Sequence, residues 1–249
     1  MGDVMQGIEQ DVPFDRGHAD TLISACNAAA SMVDSQTGSR SAWLTYGLED
    51  FEGYYAQLFQ QNGSVQASDA TLVAIRLREI ATAVGDLKRA AAAEQKRRET
   101  ARAWKQRQDH RNLFQMVGDW LSGGEQPPVG PPDPEPQLSV TAVTPQPRQP
   151  LTGSSSTGVS SGRPANLRSF ATNSLGGNEE LRPKAAAVRS AYNDFTGSCG
   201  WGRLEASGVI SGFDSYISAN DEDVRWANVV AEAFEAAGSS GTVTAPNAS

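Results

Sequence analysis

The chain has 249 residues and a formal charge of −8 at pH 7; 39% of its residues are hydrophobic and only 7% are aromatic. This acidic balance argues against a general affinity for nucleic acid or anionic lipid, because both attract basic surfaces. No apolar run approaches the roughly 18 residues that span a bilayer, and residues 1–17 lack the basic start and apolar run of a Sec-type signal, so neither feature is predicted.

Three helices are predicted in the first half of the chain. Apolar residues recur at helical spacing over residues 14–33, and Gly38 is expected to end this first helix. Ser41 is a suitable N-cap for a second, aromatic-rich helix, which Asn62-Gly63 is expected to stop. Ser68 then caps a long third helix with an apolar stripe.

The predicted third helix carries two features that suggest interactions. Ile80, Val84, Leu87 and Ala91 follow the three-then-four spacing of a coiled-coil seam, so self-association as a scaffold is one interpretation. The stretch from Glu94 to Arg111 is rich in Lys and Arg, as a nucleic-acid patch would be. A solvated helix end has the same pattern, and it is the interpretation that we favour.

Residues 123–163 differ in composition from the rest of the chain. They contain nine of the 13 prolines, followed by a run of Gly, Ser and Thr. Such a segment cannot propagate a helix or bury enough apolar area to offset the entropy of ordering it. We therefore expect a disordered linker, with the parts on either side independent in orientation.

A second helical pattern follows the linker. Gly176-Gly177 and the run Cys199 to Gly202 are expected to interrupt it. Asn220, followed by three acidic residues, is predicted to cap the last helix, and Gly238 is predicted to end it.

The predicted fold class is therefore all-α, with two small helical-bundle or hairpin modules. The first is a three-helix module over residues 14–122, and the second covers residues 164–238. The disordered linker 123–163 joins them, and residues 239–249 form a disordered tail.

No catalytic constellation stands out in the sequence. His18 and His110 are the only histidines, and both are interpreted as surface residues, so a nucleophile would lack a positioned base. Cys26 and Cys199 are too few for a metal site and are interpreted as inert thiols. The sequence predicts a non-enzymatic protein without a cofactor or a metal.

Aromatic residues are the more informative set. Trp43, Phe51, Tyr55 and Phe59 recur at helical spacing, which is typical of a core. A short helical hairpin exposes part of any wide apolar stripe, however, so an aromatic side chain at the bend can also face a partner.

The N-terminal portion resembles the helical secretion-targeting modules of the type VII (ESX-type) WXG superfamily, especially those at the front of actinobacterial toxins. The resemblance rests on the run Trp43 to Gly47, the aromatic run Phe51 to Phe59 and the long third helix. In the second half it rests on Cys199 to Gly202 and Asn220 to Gly238. No Trp-Xaa-Gly triplet occurs, and the family's export signal, Tyr-Xaa-Xaa-Xaa-Asp/Glu, is matched by Tyr46 to Asp50 at the start of the predicted second helix.

The resemblance implies export by a Sec-independent route, with a small helical partner or a secretion-machinery component as the binding partner. A toxin of this kind carries a catalytic domain after the helical region, so the chain is either a fragment or a stand-alone substrate or adaptor. A cytoplasmic, self-associating coiled-coil scaffold is the alternative. The candidate partner or signal residues are Trp43, Tyr46, Asp50, Phe51, Tyr55 and Trp201.

Overall fold

The computed structural model describes residues 5–110, 128–150 and 160–238, and this part of the chain is all-α, as predicted. Its helices are α1 (Arg16–Leu48), α2 (Tyr54–Asp109), α3 (Pro164–Ser198) and α4 (Ser207–Ala237). Its short strands are β1 (Glu52–Gly53), β2 (Gln137–Ser139), β3 (Ser160–Ser161) and β4 (Arg203–Glu205). Strand β1 pairs antiparallel with β3, and β2 pairs parallel with β4.

The four helices pack as a bundle. Helix α1 contacts both α2 and α3, and α4 contacts α3 and α2, so the four helices close a ring. Leu22, Leu77, Leu181 and Phe213, one from each helix, are all buried in the same hydrophobic cluster. The parts before and after residues 123–163 therefore share one core, unlike the two independent modules that the sequence predicts.

The helices in the first half of the chain end at positions other than those predicted. Gly38 lies within α1, and a Cβ added there would meet open space, so it costs the helix about 1 kcal/mol without stopping it. Gly63 lies within α2, where an added Cβ would be 2.2 Å from the Leu44 side chain. It therefore allows two helices to approach closely. The chain turns instead at Asp50 and Gly53, both of which have positive φ.

The helix boundaries of the second half are partly confirmed. Helix α3 ends at Ser198, before the predicted break, and Gly238 ends α4 with a φ of 82°. The predictions for Gly177 and Asn220 are wrong. A Cβ on Gly177 would lie 3.0 Å from Arg40 Nη2, so this glycine permits close packing inside α3. Asn220 is fully buried inside α4 and caps nothing.

The described part of the predicted linker lies against the bundle. We call residues 137–149 the strap. Val140 and Val143 donate backbone hydrogen bonds to Glu205 O and Gly208 O, at 2.9 and 3.3 Å. A Cβ on Gly212 would be 2.3 Å from Val143 O, so α4 needs a glycine where the strap crosses it. Predictions for residues 111–127, 151–159 and 239–249 lie outside the described residues.

Two substitutions on helices from opposite halves of the chain test the shared core. Leu77→Ala in α2 and Leu181→Ala in α3 each truncate a fully buried side chain, so each should lower the free energy of unfolding by about 2–5 kcal/mol. Both should shift the same cooperative transition in urea, followed by circular dichroism. Ile75→Ala and Leu175→Ala, at exposed positions of the same helices, are matched controls with expected changes below about 0.5 kcal/mol. Two transitions, each sensitive to one substitution only, would contradict a common core.

Candidate functional site

The bend between α1 and α2 exposes two of the predicted signal residues. Tyr46 lies in the last turn of α1 and is 49% exposed. Asp50 follows the helix with a φ of 58°, a conformation that Asn and Asp adopt more readily than most residues. Its carboxylate forms an ion pair with Arg163 at 2.6 Å, and both side chains are largely exposed. The Tyr46 to Asp50 spacing therefore lies at the end of α1, not at the start of a second helix as the sequence suggests.

Three other members of the predicted set are buried. Phe51 packs edge-on against Phe234, with ring centroids 5.6 Å apart, and Tyr55 packs edge-on against Trp226 at 6.4 Å. Trp201 is buried beyond α3, in the connection to α4. In the described chain these side chains are core residues and present no surface to a partner.

Trp43 has an intermediate position. It is partly buried against the aromatic cluster at the bend, and the Arg40 guanidinium lies 5.9 Å from its ring centroid. That separation is within the range of a cation–π interaction. The bend thus combines exposed Tyr46 and Asp50 with the partly buried Trp43.

The bend is held by residues from both halves of the chain. Phe59 stacks on Trp226 with centroids 5.5 Å apart, and it meets Phe170 edge-on at 4.7 Å. Gly47 lies over this cluster, where an added Cβ would be 2.9 Å from the Phe59 ring. Backbone N–H of Tyr55 donates to Ser160 Oγ at 3.1 Å. Because α3, α4 and β3 all contact the bend, its exposed residues are presented in one fixed geometry.

The basic stretch of α2 is partly covered by an acidic N-terminal segment. Arg102 pairs with Asp11 at 2.5 Å, and Lys105 pairs with Glu9 at 3.1 Å. Ile8, directly before Glu9, is almost completely buried. This intramolecular pairing neutralises part of the surface that a nucleic acid would need.

The predicted self-association seam already has intramolecular partners. Ile80, Val84 and Leu87 are fully buried in the four-helix core, and Ala91 is also buried. A coiled coil through these residues would require the bundle to open.

His18 lies near a serine and a carboxylate, but the arrangement is not a catalytic triad. Ser198 Oγ is 2.8 Å and Asp15 Oδ2 is 3.6 Å from the same ring nitrogen, Nδ1. A serine–histidine–carboxylate relay needs its two partners on opposite nitrogens. Asp15 instead caps α1, where its Oδ1 accepts the backbone N–H of His18 at 3.0 Å.

The two cysteines have poorly ionising thiols. Burial raises the pKa of Cys26 to about 12, and burial also raises the pKa of Cys199. Thiolate is the reactive form, so both side chains are weak nucleophiles at neutral pH. Within the described ranges, no group of three or more His, Cys, Asp or Glu side chains is arranged to hold a metal ion.

A buried ionic cluster, which the sequence reasoning missed, fastens the strap to the bundle. The Arg148 guanidinium pairs with Asp69 of α2 at 2.7 Å and with Asp223 of α4 at 3.0 Å, and all three side chains are buried. Backbone N–H of Gln149 donates to Asn62 Oδ1 at 2.7 Å. Burial raises the pKa of Asp223 to about 6, although Arg148 acts in the opposite direction. The only sequence signal was the position of Asp223 next to an apolar helical stripe.

No protein-family model matches the chain, and no curated protein or solved structure is significantly similar to it. The resemblance to the type VII superfamily therefore rests on the residues quoted above. In the described part of the chain, no helix combines the length and the apolar character that a membrane crossing requires.

Asp223→Asn should change the pH dependence of stability. The folded-state pKa of about 6 lies above the unfolded value of about 3.9, so the folded chain binds this proton more tightly. Protonated Asp223 stabilises the folded chain, and this contribution is fully present below about pH 4 and is lost as the pH rises through about 6. The unfolding free energy of D223N minus that of the native chain should therefore increase from pH 4 to pH 7, measured by urea unfolding.

Asp214→Asn, on the same helix, is the control for this experiment because the Asp214 side chain is 40% exposed and pairs with Arg189 at the surface. Its difference from the native chain should vary less with pH. A D223N difference that stays constant from pH 4 to pH 7 would show that burial does not raise the Asp223 pKa in this way.

Proposed function

We propose that the chain is a non-enzymatic export substrate or adaptor of a type VII (ESX-like) secretion system, recognised at the end of the α1–α2 hairpin. The single observation that supports this best is that Tyr46 and Asp50, which have the sequence spacing of the family's export signal, are both exposed. The proposal applies equally to a stand-alone protein and to the targeting region of a longer toxin.

Tyr46 has the properties of an anchor for a protein partner. Among the large hydrophobic side chains described, it has the highest exposed fraction. Tyrosine is enriched in binding hot spots because one ring supplies a large contact area and a polar hydroxyl at a small entropic cost. Asp50 adds a negative charge four residues later, which favours a partner with a basic group at the matching position.

The rigidity of the bend supports the same proposal. Phe51 and Tyr55, which follow Asp50 in the chain, are buried and contact α4, so the recognised surface needs little ordering when a partner binds. Such preorganisation reduces the entropic cost of association. The partner would be a small helical protein or a component of the secretion machinery, and the protein would be secreted or surface-located by a Sec-independent route.

Export assays with surface variants test this proposal. Tyr46→Ala and Asp50→Asn should each abolish secretion from an actinobacterial host with a type VII system, while the unfolding free energy stays within about 1 kcal/mol of native because both sites are exposed. Asp50→Asn keeps a residue type that tolerates positive φ. Immunoblotting of culture filtrate and cell lysate measures the exported fraction.

Two control variants make the result specific. Arg163→Gln removes the ion pair of Asp50 but leaves its carboxylate, so export should persist. Ile75→Ala truncates another exposed apolar side chain, and export should persist there too. Undiminished secretion of both Y46A and D50N would overturn the proposal, and loss of export in R163Q would show that the ion pair, not a recognised carboxylate, is what matters.

A further inference from the structure

A groove of about 260 Å³ lies between α1 and α2, and neither Tyr46 nor Asp50 lines it. Leu44, Ala67 and Ala70 give it apolar walls, and exposed hydroxyl side chains of Thr37, Ser41 and Ser64 form its outer rim. Arg40 and Tyr216 also line it, and both are buried, so they form its inner end. The volume is slightly below the roughly 300–1,000 Å³ of sites for drug-sized ligands, which suits a smaller molecule.

Arg40 is a buried cation with an unused donor. The residue is only 5% exposed. Its Nε and Nη2 donate to Gln36 Oε1 at 3.1 and 2.9 Å, and Nη2 also donates to Asn178 Oδ1 at 2.8 Å. Its Nη1 has no hydrogen-bond partner among the residues that the structure describes. A guanidinium has five N–H groups, so two of them are left for another acceptor.

The charge of Arg40 is compensated only from a distance. Both of its direct partners, Gln36 and Asn178, are neutral amides. The carboxylates stand one layer farther out: Glu180 accepts from Gln36 Nε2 at 3.0 Å, and Asp221 accepts from Asn178 Nδ2 at 2.8 Å. Leaving a buried charged donor without an acceptor is unfavourable, so this position favours an anionic acceptor.

The polar groups deeper in the groove are mostly paired with one another. Gln66, which lines the groove, donates to Asn220 Oδ1 at 3.2 Å. The charge of Asp223 acts on Arg40, and Arg148 pairs with Asp223 at 3.0 Å and with the buried Asp69 at 2.7 Å. Arg40 Nη1 is therefore the charged donor at this end without a partner among the described residues.

We propose that this groove binds a small aliphatic carboxylate. A small movement of the side chains that cover Arg40 Nη1 brings this donor to the groove, where the carboxylate oxygens accept its hydrogen bonds. The hydrocarbon chain lies against Leu44, Ala67 and Ala70. Bonds between a guanidinium and a carboxylate are charge-assisted and roughly twice as strong as bonds between neutral groups, so the site selects an acid over its amide. The site is independent of export and uses none of the residues at the hairpin end.

Calorimetric titration of the full chain with hexanoate and with hexanamide tests the chemical class. These molecules differ in charge but match in shape. Hexanoate should bind, and hexanamide should bind at least about tenfold more weakly, because the charge-assisted bond to Arg40 is replaced by a neutral one. An absence of hexanoate binding, or equal affinity for the two molecules, would overturn the proposal.

A matched pair of variants tests the location. Ala67→Phe fills the groove from an exposed position and leaves Arg40 and its hydrogen-bond partners Gln36 and Asn178 unchanged in sequence, so it should abolish hexanoate binding. Ala93→Phe introduces the same side chain at an exposed position of the same helix outside the groove, and binding should persist. Binding that survives Ala67→Phe would overturn the assignment to this groove. Arg40→Gln should also abolish binding. The comparison of Ala67→Phe with Ala93→Phe tests the location even if the Arg40→Gln variant is unstable.

Discussion

The packing of α1 against both α2 and α3 is the constraint on which the rest of the structure depends. Leu22, Cys26 and Val33 are buried along one helix that serves both halves of the chain. Ala29 and Ala30 in the same stripe keep the neighbouring helices close. Because α1 is common to both halves, the bend, the strap and the groove between α1 and α2 occupy fixed positions relative to α3 and α4.

Buried polar residues add specificity to this apolar packing. Arg148 fits only where Asp69 of α2 and Asp223 of α4 come together, and Arg40 fits only where α1 faces Asn178 of α3. Buried ionic groups cost desolvation energy, so they contribute less to net stability than their number suggests. Our hypothesis is that they fix the register of the helices, since a shifted helix would leave the same charges without partners.

The sequence was sufficient to predict the fold class and several helix ends, but not the assembly of the helices. Apolar periodicity and alanine content predict helix, and Gly238 ends α4 as expected. Gly63 and Gly177 are helix breakers on average, whereas here each lies where another side chain passes too close for a Cβ. The spacing of Tyr46 and Asp50 is visible in the sequence, but their exposure depends on long-range packing. The partners of Arg148 are more than 70 residues away, so no local pattern reveals them.

A distance measurement between the two halves tests the shared core most directly. Nitroxide labels can be placed on exposed helix positions through Thr71→Cys in α2 and Ala187→Cys in α3, in a chain that also carries Cys26→Ala and Cys199→Ser. Double electron–electron resonance should give one narrow distance distribution, because both helices belong to the same bundle. A broad distribution extending over tens of ångströms, as expected for modules on a flexible linker, would contradict the account.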